Sequence, residues 1–244
     1  LTEDEVDVHR TVVHKSHIRK VMFLCAMARP RVDRHRNMWF DGKLGIWPVG
    51  KMVPAKRDSK NRKKGTLVWE NQNMNRELYR EMLENELIPA LLTLWPRGCE
   101  RQIIIRQDGA KAHILESDQI FKEALTFNRL NARLVTQPPN SPDLNLLDLG
   151  FFRAVQSAAH KTTNKDELEL IENVKKAYAN YPKERINHTW LTLQTVMNEI
   201  VECDGDNDYK IPHMGKERLE RNGELPHVIA VSSKAQNLLD GNLE

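Results

Sequence analysis

Cysteines and long apolar runs are scarce in this sequence, and each scarcity excludes a class of protein. The 244 residues contain three widely spaced cysteines, Cys25, Cys99 and Cys203, with no CxxC pair. That pattern excludes a disulfide framework and the usual zinc spacings, and it favours a reducing compartment. No apolar run reaches the roughly 18 residues of a membrane-spanning helix, so we expect no membrane partner. The acidic opening at Leu1–Asp7 is unlike a secretory signal peptide.

An excess of charge of one sign is also missing. The 37 Lys and Arg residues nearly balance 34 Asp and Glu residues, so the formal net charge of +3 says little about nucleic acid. The distribution of charge says more, because basic residues cluster between positions 51 and 64 with only Asp58 opposing them. Such a cluster can neutralise phosphates, although a solvated loop would have the same composition. The candidate nucleic-acid contacts in it are Lys56, Arg57, Lys60, Arg62, Lys63 and Lys64.

The hydrophobic pattern predicts an α/β domain. Short apolar or β-branched runs predict strands at 21–27, 44–49, 102–107 and 132–136. Apolar residues at helical spacing predict helices at 75–95, 117–127, 144–160, 166–180 and 183–202. We expect a turn or hairpin in residues 1–16, a basic loop at 50–66 and an irregular segment in roughly the last 35 residues. Strands that alternate with helices favour an α/β fold with a mixed sheet.

Two aspartates occur where predicted elements meet. Asp108 follows the strand predicted at 102–107, and Asp148 lies in the early turns of the helix predicted at 144–160; 39 residues separate them. Carboxylates on separate elements suit Mg²⁺, and two such ions roughly 3.5–4 Å apart can promote phosphoryl transfer. Asp143 is the alternative to Asp148 as the second ligand, although an aspartate at that position would also cap the helix.

The segments around both aspartates resemble motifs of mariner-like DNA transposases. Gln107–His113 (QDGAKAH) is similar to the motif that carries the second catalytic aspartate of that family. Pro138–Phe152 (PPNSPDLNLLDLGFF) is similar to the motif that carries the third carboxylate, and the spacing resembles the plant-type and related branch, which uses three aspartates. The resemblance extends from about Val21 to about Pro226. It includes KVMFLCAMARPR (Lys20–Arg31), FDGKLGIWPVG (Phe40–Gly50), SKNRKKGT (59–66) and YKIPHMGKERLERNGELP (Tyr209–Pro226).

This resemblance implies a fold and a function. The fold would be ribonuclease H-like, with a mixed central sheet flanked by helices in residues 1–160, and with a C-terminal helical extension and irregular tail in 161–244. Asp108 and Asp148 would be catalytic ligands of two Mg²⁺ or Mn²⁺ ions, supported by His113 and Asn145. The reaction would be phosphodiester hydrolysis and strand transfer in cut-and-paste transposition. The implied partners are transposon ends, target DNA and a second copy in a homodimer, and the implied location is the nucleus.

The sequence also departs from the family pattern. Gly109 and Lys111 replace the asparagine and proline of the second-aspartate motif, and Gly109 adds backbone freedom beside a ligand. The first catalytic aspartate is expected in a strand ahead of Leu1–Asp7, so the domain at 1–160 is predicted to lack its first strand. Two carboxylates of three would hold the ions weakly, and we expect this polypeptide alone to be nearly inactive. The alternatives are an inactive or domesticated remnant that binds DNA or protein, and an unrelated ribonuclease H-like nuclease.

Overall fold

The computed structural model describes residues 19–59, 62–97, 102–159 and 164–241, which form a mixed α/β structure with several small sheets. The strands are β1 (Phe23–Met27), β2 (Arg31–Asp33), β3 (Met38–Phe40), β4 (Lys43–Pro48), β5 (Gly50–Pro54), β6 (Leu67–Asn71), β7 (Ile103–Gln107) and β8 (Ala132–Thr136). The helices are α1 (Arg76–Met82), α2 (Ile88–Leu94), α3 (Gln119–Phe127), α4 (Phe152–Ala159), α5 (Glu167–Ala179), α6 (Lys183–Glu202), α7 (Lys216–Arg221) and α8 (Ser233–Leu239). Among these described helices, none is long and apolar enough to cross a bilayer.

The strands predicted from the sequence form two pairs. β1 and β4 are antiparallel, in register from Phe23 opposite Pro48 to Ala26 opposite Gly45, and the register shifts before Met27, which lies opposite Lys43. β7 and β8 are parallel, with Ile103 opposite Ala132 and Gln107 opposite Thr136. Parallel strands need a crossover, and α3 supplies it between β7 and β8. All four strand predictions are confirmed to within a few residues at each end.

The helix predicted at 75–95 is also confirmed. Asn75 caps α1 by accepting the backbone N–H of Leu78 at 2.8 Å. A π-helical turn at Leu83–Leu87 joins α1 to α2, and the backbone becomes extended at Trp95, which precedes a proline. One face of this helix is buried with both strand pairs in the largest apolar core. The core includes Leu83, Leu87, Ile88, Leu91, Ile103 and Leu134.

Three sequence predictions need correction. The basic loop predicted at 50–66 begins as a strand, because β5 pairs with β6 in antiparallel register from Gly50 opposite Asn71 to Pro54 opposite Leu67. The helix predicted at 144–160 is interrupted: a 3₁₀ turn at Pro142–Leu144 and a π turn at Leu147–Phe151 precede α4, and Gly150 has a positive φ of 116° that breaks regular helix. The C-terminal segment is not wholly irregular, because it contains α7 and α8.

A continuous mixed central sheet does not form among the described strands. They pair two by two, so β1 bonds only to β4 and β7 only to β8. The ribonuclease H-like sheet order is therefore not seen in this part of the chain. Residues 1–16 and the predicted domain boundary at 160/161 lie outside the described residues. On either side of that boundary, Val155 of α4 and Leu170 and Val174 of α5 share one apolar core.

Helix α3 offers a direct test of which apolar contacts stabilise the fold. Phe121 is 1% exposed in the main core, whereas Phe127, on the same helix, is 88% exposed. We expect Phe121→Ala to lower the free energy of unfolding by about 3–5 kcal/mol, because it leaves a cavity in a packed interior. Phe127→Ala should change it by less than about 0.5 kcal/mol. Urea unfolding followed by circular dichroism measures both, and equal losses would contradict this packing.

Candidate metal centre

Asp108 lies where β7 ends and the chain turns. Its Oδ1 accepts the backbone N–H of Ala110 at 2.9 Å, which closes an Asx turn at the carboxyl end of the strand. His113 Nδ1 lies 2.9 Å from the same Oδ1 and 3.1 Å from the backbone oxygen of Asp108. The Asp108 side chain is 40% exposed, and both of the described bonds to its carboxylate involve Oδ1. One carboxylate oxygen is thus held in place on a side chain that solvent can still reach.

His113 positions Asp108. Both atoms near Nδ1 are acceptors, so the hydrogen bond assigns the proton of a neutral imidazole to Nδ1 and leaves Nε2 as the free nitrogen. The imidazole ring stacks on Tyr79 of α1, with ring centroids 4.2 Å apart and an interplanar angle of 22°. Burial, and then the charge of Asp108, raise the pKa of the Tyr79 hydroxyl. The aspartate, the imidazole and the phenol therefore form one packed group.

Asp148 comes from a different element, the π turn that precedes α4. Its backbone N–H donates to the carbonyl oxygen of Asn145 at 3.1 Å, and Asn145 Oδ1 accepts the N–H of Leu147 at 3.1 Å. Asn145 therefore caps the segment that carries Asp148. Two residues after Asp148, the positive φ of Gly150 ends the π turn and separates it from α4.

The two carboxylates repel each other. Desolvation, and then the charge of Asp108, raise the pKa of Asp148, while a hydrogen bond from the Asn145 side chain acts in the opposite direction. Asp148 is nevertheless exposed, so water screens part of this repulsion. A divalent cation between the two carboxylates would relieve the repulsion. Asp108 and Asp148 are thus near enough for the charge of Asp108 to raise the pKa of Asp148.

Asp143, the alternative ligand, has a different partner. The Tyr209 hydroxyl lies 3.3 Å from Asp143 Oδ2, which ties the 3₁₀ turn to the segment that follows α6. Burial, and then the charge of Asp143, raise the pKa of Tyr209. Asp143 therefore has a structural contact, and this favours Asp148 as the residue that faces Asp108.

The donor set suits a hard cation at a partly hydrated site. Mg²⁺ is commonly held by one or two carboxylates, with water completing its octahedron, and Asp108 and Asp148 can supply that many. Within the described ranges, no three His, Cys, Asp or Glu side chains cluster as a metal site. Two carboxylates fit one Mg²⁺ or Mn²⁺ ion, and a second ion would need further anionic ligands.

The raised pKa of Asp148 gives a pH prediction for this site. Protons and cations compete for a carboxylate, so Mn²⁺ affinity should fall as the pH drops from 7 through that raised pKa. The fall should begin at a higher pH than an ordinary aspartate, with a pKa of about 3.9, would set. A Mn²⁺ titration followed by electron paramagnetic resonance at several pH values measures it. A flat affinity between pH 7 and 4 would show that Asp148 is not a ligand.

The predicted nucleic-acid contacts lie on the hairpin of β5 and β6, far along the chain from both aspartates. Five of the six predicted basic contacts are described, and their side chains are exposed and form no ion pair with a described residue. These five are Lys56, Arg57, Arg62, Lys63 and Lys64. Lys60 lies outside the described residues. Asp58 accepts the backbone N–H of Lys64 at 2.6 Å, so its carboxylate shapes the tip. We call the described residues 50–59 and 62–71 the basic hairpin.

Sequence reasoning missed two residues of this region. Tyr79 lies within the helix predicted at 75–95, and nothing in its spacing indicates the stack on His113. Gln107 looked like the last residue of a strand, but its side chain is buried, at 7% exposure, and donates to the carbonyl oxygen of Ile114 at 2.6 Å. That bond holds the loop after Asp108 against the end of β7.

A cavity of about 810 Å³ opens beside the centre, with Asp108, His113 and Asn145 in its wall. Most of the remaining wall is apolar and comes from β1, β7 and the surrounding helices. Asp108 therefore lies in the wall of a largely apolar space, next to the imidazole of His113.

Comparison with known proteins finds no match of significance: no family model fits the chain, and no curated protein or solved structure is significantly similar to it.

Proposed function

We propose that this chain is a catalytic-domain fragment of a DNA transposase of the mariner-like kind, with a ribonuclease H-like fold. Its chemistry would be metal-dependent phosphodiester hydrolysis and strand transfer on transposon ends and target DNA, in the nucleus. Asp108 and Asp148 would hold the metal, and the basic hairpin would contact phosphates. The metal would activate water and neutralise charge on the reacting phosphate.

One observation carries the proposal. Two aspartates that the motifs single out come from separate elements, β7 and the π turn before α4, and they interact electrostatically across the chain. Two further residues hold these aspartates in place. His113 contacts one carboxylate oxygen of Asp108, and Asn145 caps the turn that carries Asp148. A pair of carboxylates that raises the pKa of one member is costly in a fold without a function for it.

The parallel pair of β7 and β8 also supports the proposal. In open α/β sheets, ligand sites lie beyond the carboxyl ends of the strands, and Asp108 occupies that position on β7. The exposed basic side chains of the basic hairpin add a surface that can release counterions from DNA.

A catalytically inactive, DNA- or protein-binding module is the alternative. The observation that favours it is the size of the donor set, because two carboxylates hold one cation and phosphoryl transfer by two metals needs more. In that case the centre would retain a cation or a structural role, and the basic hairpin would carry the remaining function.

A plasmid-nicking assay with Mg²⁺ or Mn²⁺ separates the two functions. The transposase proposal expects slow, metal-dependent nicking that Asp108→Asn and Asp148→Asn both remove, whereas Asp143→Asn retains it. Nicking no faster than that of Asp108→Asn, together with unimpaired DNA binding, would establish the binding module. Preferential cleavage of RNA–DNA hybrids would instead indicate a ribonuclease H-like nuclease of another kind.

A further inference from the structure

Two strand edges face the cavity beside the metal centre, and neither pairs with a described strand. Every residue of β1 and every residue of β7 contributes to the cavity wall. β1 pairs with β4 on its other side, and β7 pairs with β8 on its other side. We call the space between them the strand slot. A strand edge without a partner carries a row of backbone donors and acceptors that can template another strand.

The hydrogen-bond register identifies the groups that point into the slot from β7. Ile103 N–H donates to the carbonyl of Asn131, and Gln137 N–H donates to the carbonyl of Gln107, each at 2.8 Å. In a parallel pair these bonds come from alternate residues, so the odd-numbered positions bond to β8. The backbone N–H and C=O groups of Ile104 and Arg106 therefore point the opposite way, toward the slot.

The same argument applies to β1. Val49 N–H donates to the carbonyl of Met22, and Ala28 N–H donates to the carbonyl of Gly42, each at 2.7 Å, so both even-numbered residues that flank β1 bond toward the β4 side. Alternation along β1 then assigns the even-numbered positions to β4. The backbone groups of Phe23 and Cys25 point to the other edge, into the slot. Unpaired backbone groups in an apolar environment are costly, so both edges favour a partner.

Apolar layers close the slot above and below. Leu83, Leu87 and Leu91 of the helix that packs in the main core form part of one wall. Trp190 and Leu193 of α6, which belong to a separate core, form part of another. An occupant must therefore present apolar side chains on two opposite faces, and polar groups along its two edges.

Buried polar side-chain atoms in the wall also lack partners. Gln107 Oε1, Trp95 Nε1 and Trp190 Nε1 are fully shielded from solvent without a hydrogen bond from any described residue, and all three side chains line the cavity. Buried groups of this kind are seldom left unsatisfied in a complete fold. Because these atoms are shielded from the open slot as well, their side chains would have to turn before an occupant could reach them, and the strand edges alone define the ligand.

We propose that the strand slot binds one extended polypeptide segment of about five apolar residues, which adds a strand between β1 and β7. A β-strand is the ligand with N–H and C=O groups on both edges and side chains on both faces. β1 and β7 each contain five residues, which sets the matching length at about 17 Å. The added strand would join the two pairs into one five-stranded mixed sheet. The proposal does not depend on metal binding or catalysis at Asp108 and Asp148.

A tryptophan-free synthetic peptide tests the proposal, with a central Val-Ile-Val-Ile-Val segment between pairs of lysines. Added to the full chain, it should bind with a stoichiometry of one. It should shift the fluorescence of Trp95 and Trp190 to shorter wavelength as water leaves the slot. At a peptide concentration of about 100 times Kd, the midpoint of thermal unfolding should rise by about 5–10 °C. Absence of saturable binding to the full chain would overturn the proposal.

Two controls test whether the backbone edges are responsible. The same peptide with N-methyl groups on its three valines has the same apolar side chains but fewer N–H donors, and it should bind at least about tenfold more weakly. Ile104→Pro removes one N–H that points into the slot and leaves the bonds to β8, whereas Ile104→Val keeps that N–H; only the proline variant should lose affinity. Equal binding of both peptides would show an unspecific apolar cavity and would refute the strand. The peptide pair decides the question even if the proline variant fails to fold.

The oligomeric state provides a separate outcome. If a second copy of this chain fills the slot by strand exchange, light scattering will give a dimer that does not bind the peptide. That result would also overturn the proposal, because the slot would already be occupied.

Discussion

Asp108→Asn should weaken Mn²⁺ binding by at least about tenfold, because the amide removes the negative charge at the centre of the site. Loss of a mere hydrogen-bond partner of a metal ligand costs about 10–100-fold in affinity, and loss of the ligand itself should cost no less. The asparagine can still accept the N–H of Ala110, so the turn after β7 should survive. Asp148→Asn should have an effect of similar size, because it removes the second carboxylate.

Asp143→Asn is the matched control for this prediction. It makes the same chemical change within five residues of Asp148, but at a carboxylate that contacts the Tyr209 hydroxyl. Affinity for Mn²⁺ should stay within about twofold of the original chain. Titration of Mn²⁺ by electron paramagnetic resonance gives all three constants, and circular dichroism checks that each variant is folded. A loss in Asp143→Asn as large as in Asp148→Asn would reassign the second ligand.

Asp148→Asn should also remove the pH dependence described for the site, since the group whose pKa is raised is gone. Asp108→Asn should shift the remaining dependence toward that of an ordinary aspartate, because the neighbouring negative charge that raises the Asp148 pKa has been neutralised.

Lys63→Ala combined with Lys64→Ala should weaken DNA binding by up to about 100-fold at 0.1 M salt. Both side chains are exposed at the tip of the basic hairpin and form no ion pair with a described residue. Each lost phosphate contact should lower the slope of log K against log salt by about 0.9, which corresponds to nearly tenfold in affinity at that salt concentration. The loss should be similar for different DNA sequences, since contacts to phosphates do not read bases.

The control removes the same charge elsewhere. Lys122→Ala combined with Lys175→Ala takes two exposed lysines from α3 and α5, which leaves the net charge equal to that of the hairpin variant. Fluorescence anisotropy with labelled duplex DNA, repeated between 50 and 200 mM salt, measures affinity and slope together. Equal losses in the two double variants would mean that net charge, and not the hairpin, determines binding.

Local sequence predicts a strand or helix correctly where the hydrophobic pattern agrees with the residues that cap or end the element. The β-branched run at Ile103–Ile105 predicts β7, and Asn75 and Pro96 bracket the long helix. Local sequence does not predict a helix interruption that depends on the backbone conformation of a single residue. Gly150 adopts a positive φ that no periodicity indicates, and it turns the helix predicted at 144–160 into a π turn followed by α4.

In the candidate site, too, some features are predicted by local sequence and others are seen only in the folded chain. The motifs identified Asp108 and Asp148 by their spacing, but the spacing could not choose between Asp148 and Asp143. The contact between Asp143 and Tyr209, 66 residues later in the chain, favours Asp148. Likewise, the stack of Tyr79 on His113 joins residues 34 positions apart, so neither residue's local sequence indicates it.

Periodicity, capping and turn residues act over a few positions, so local sequence was enough to predict the α/β class, four of the strands and the main helices, and to single out two aspartates for test. The folded chain alone shows how the strands pair, that the charge of Asp108 acts on Asp148, and that β1 and β7 leave a slot between them. Those features depend on contacts between distant residues, and such contacts are fixed by packing and hydrogen-bond satisfaction across the whole chain.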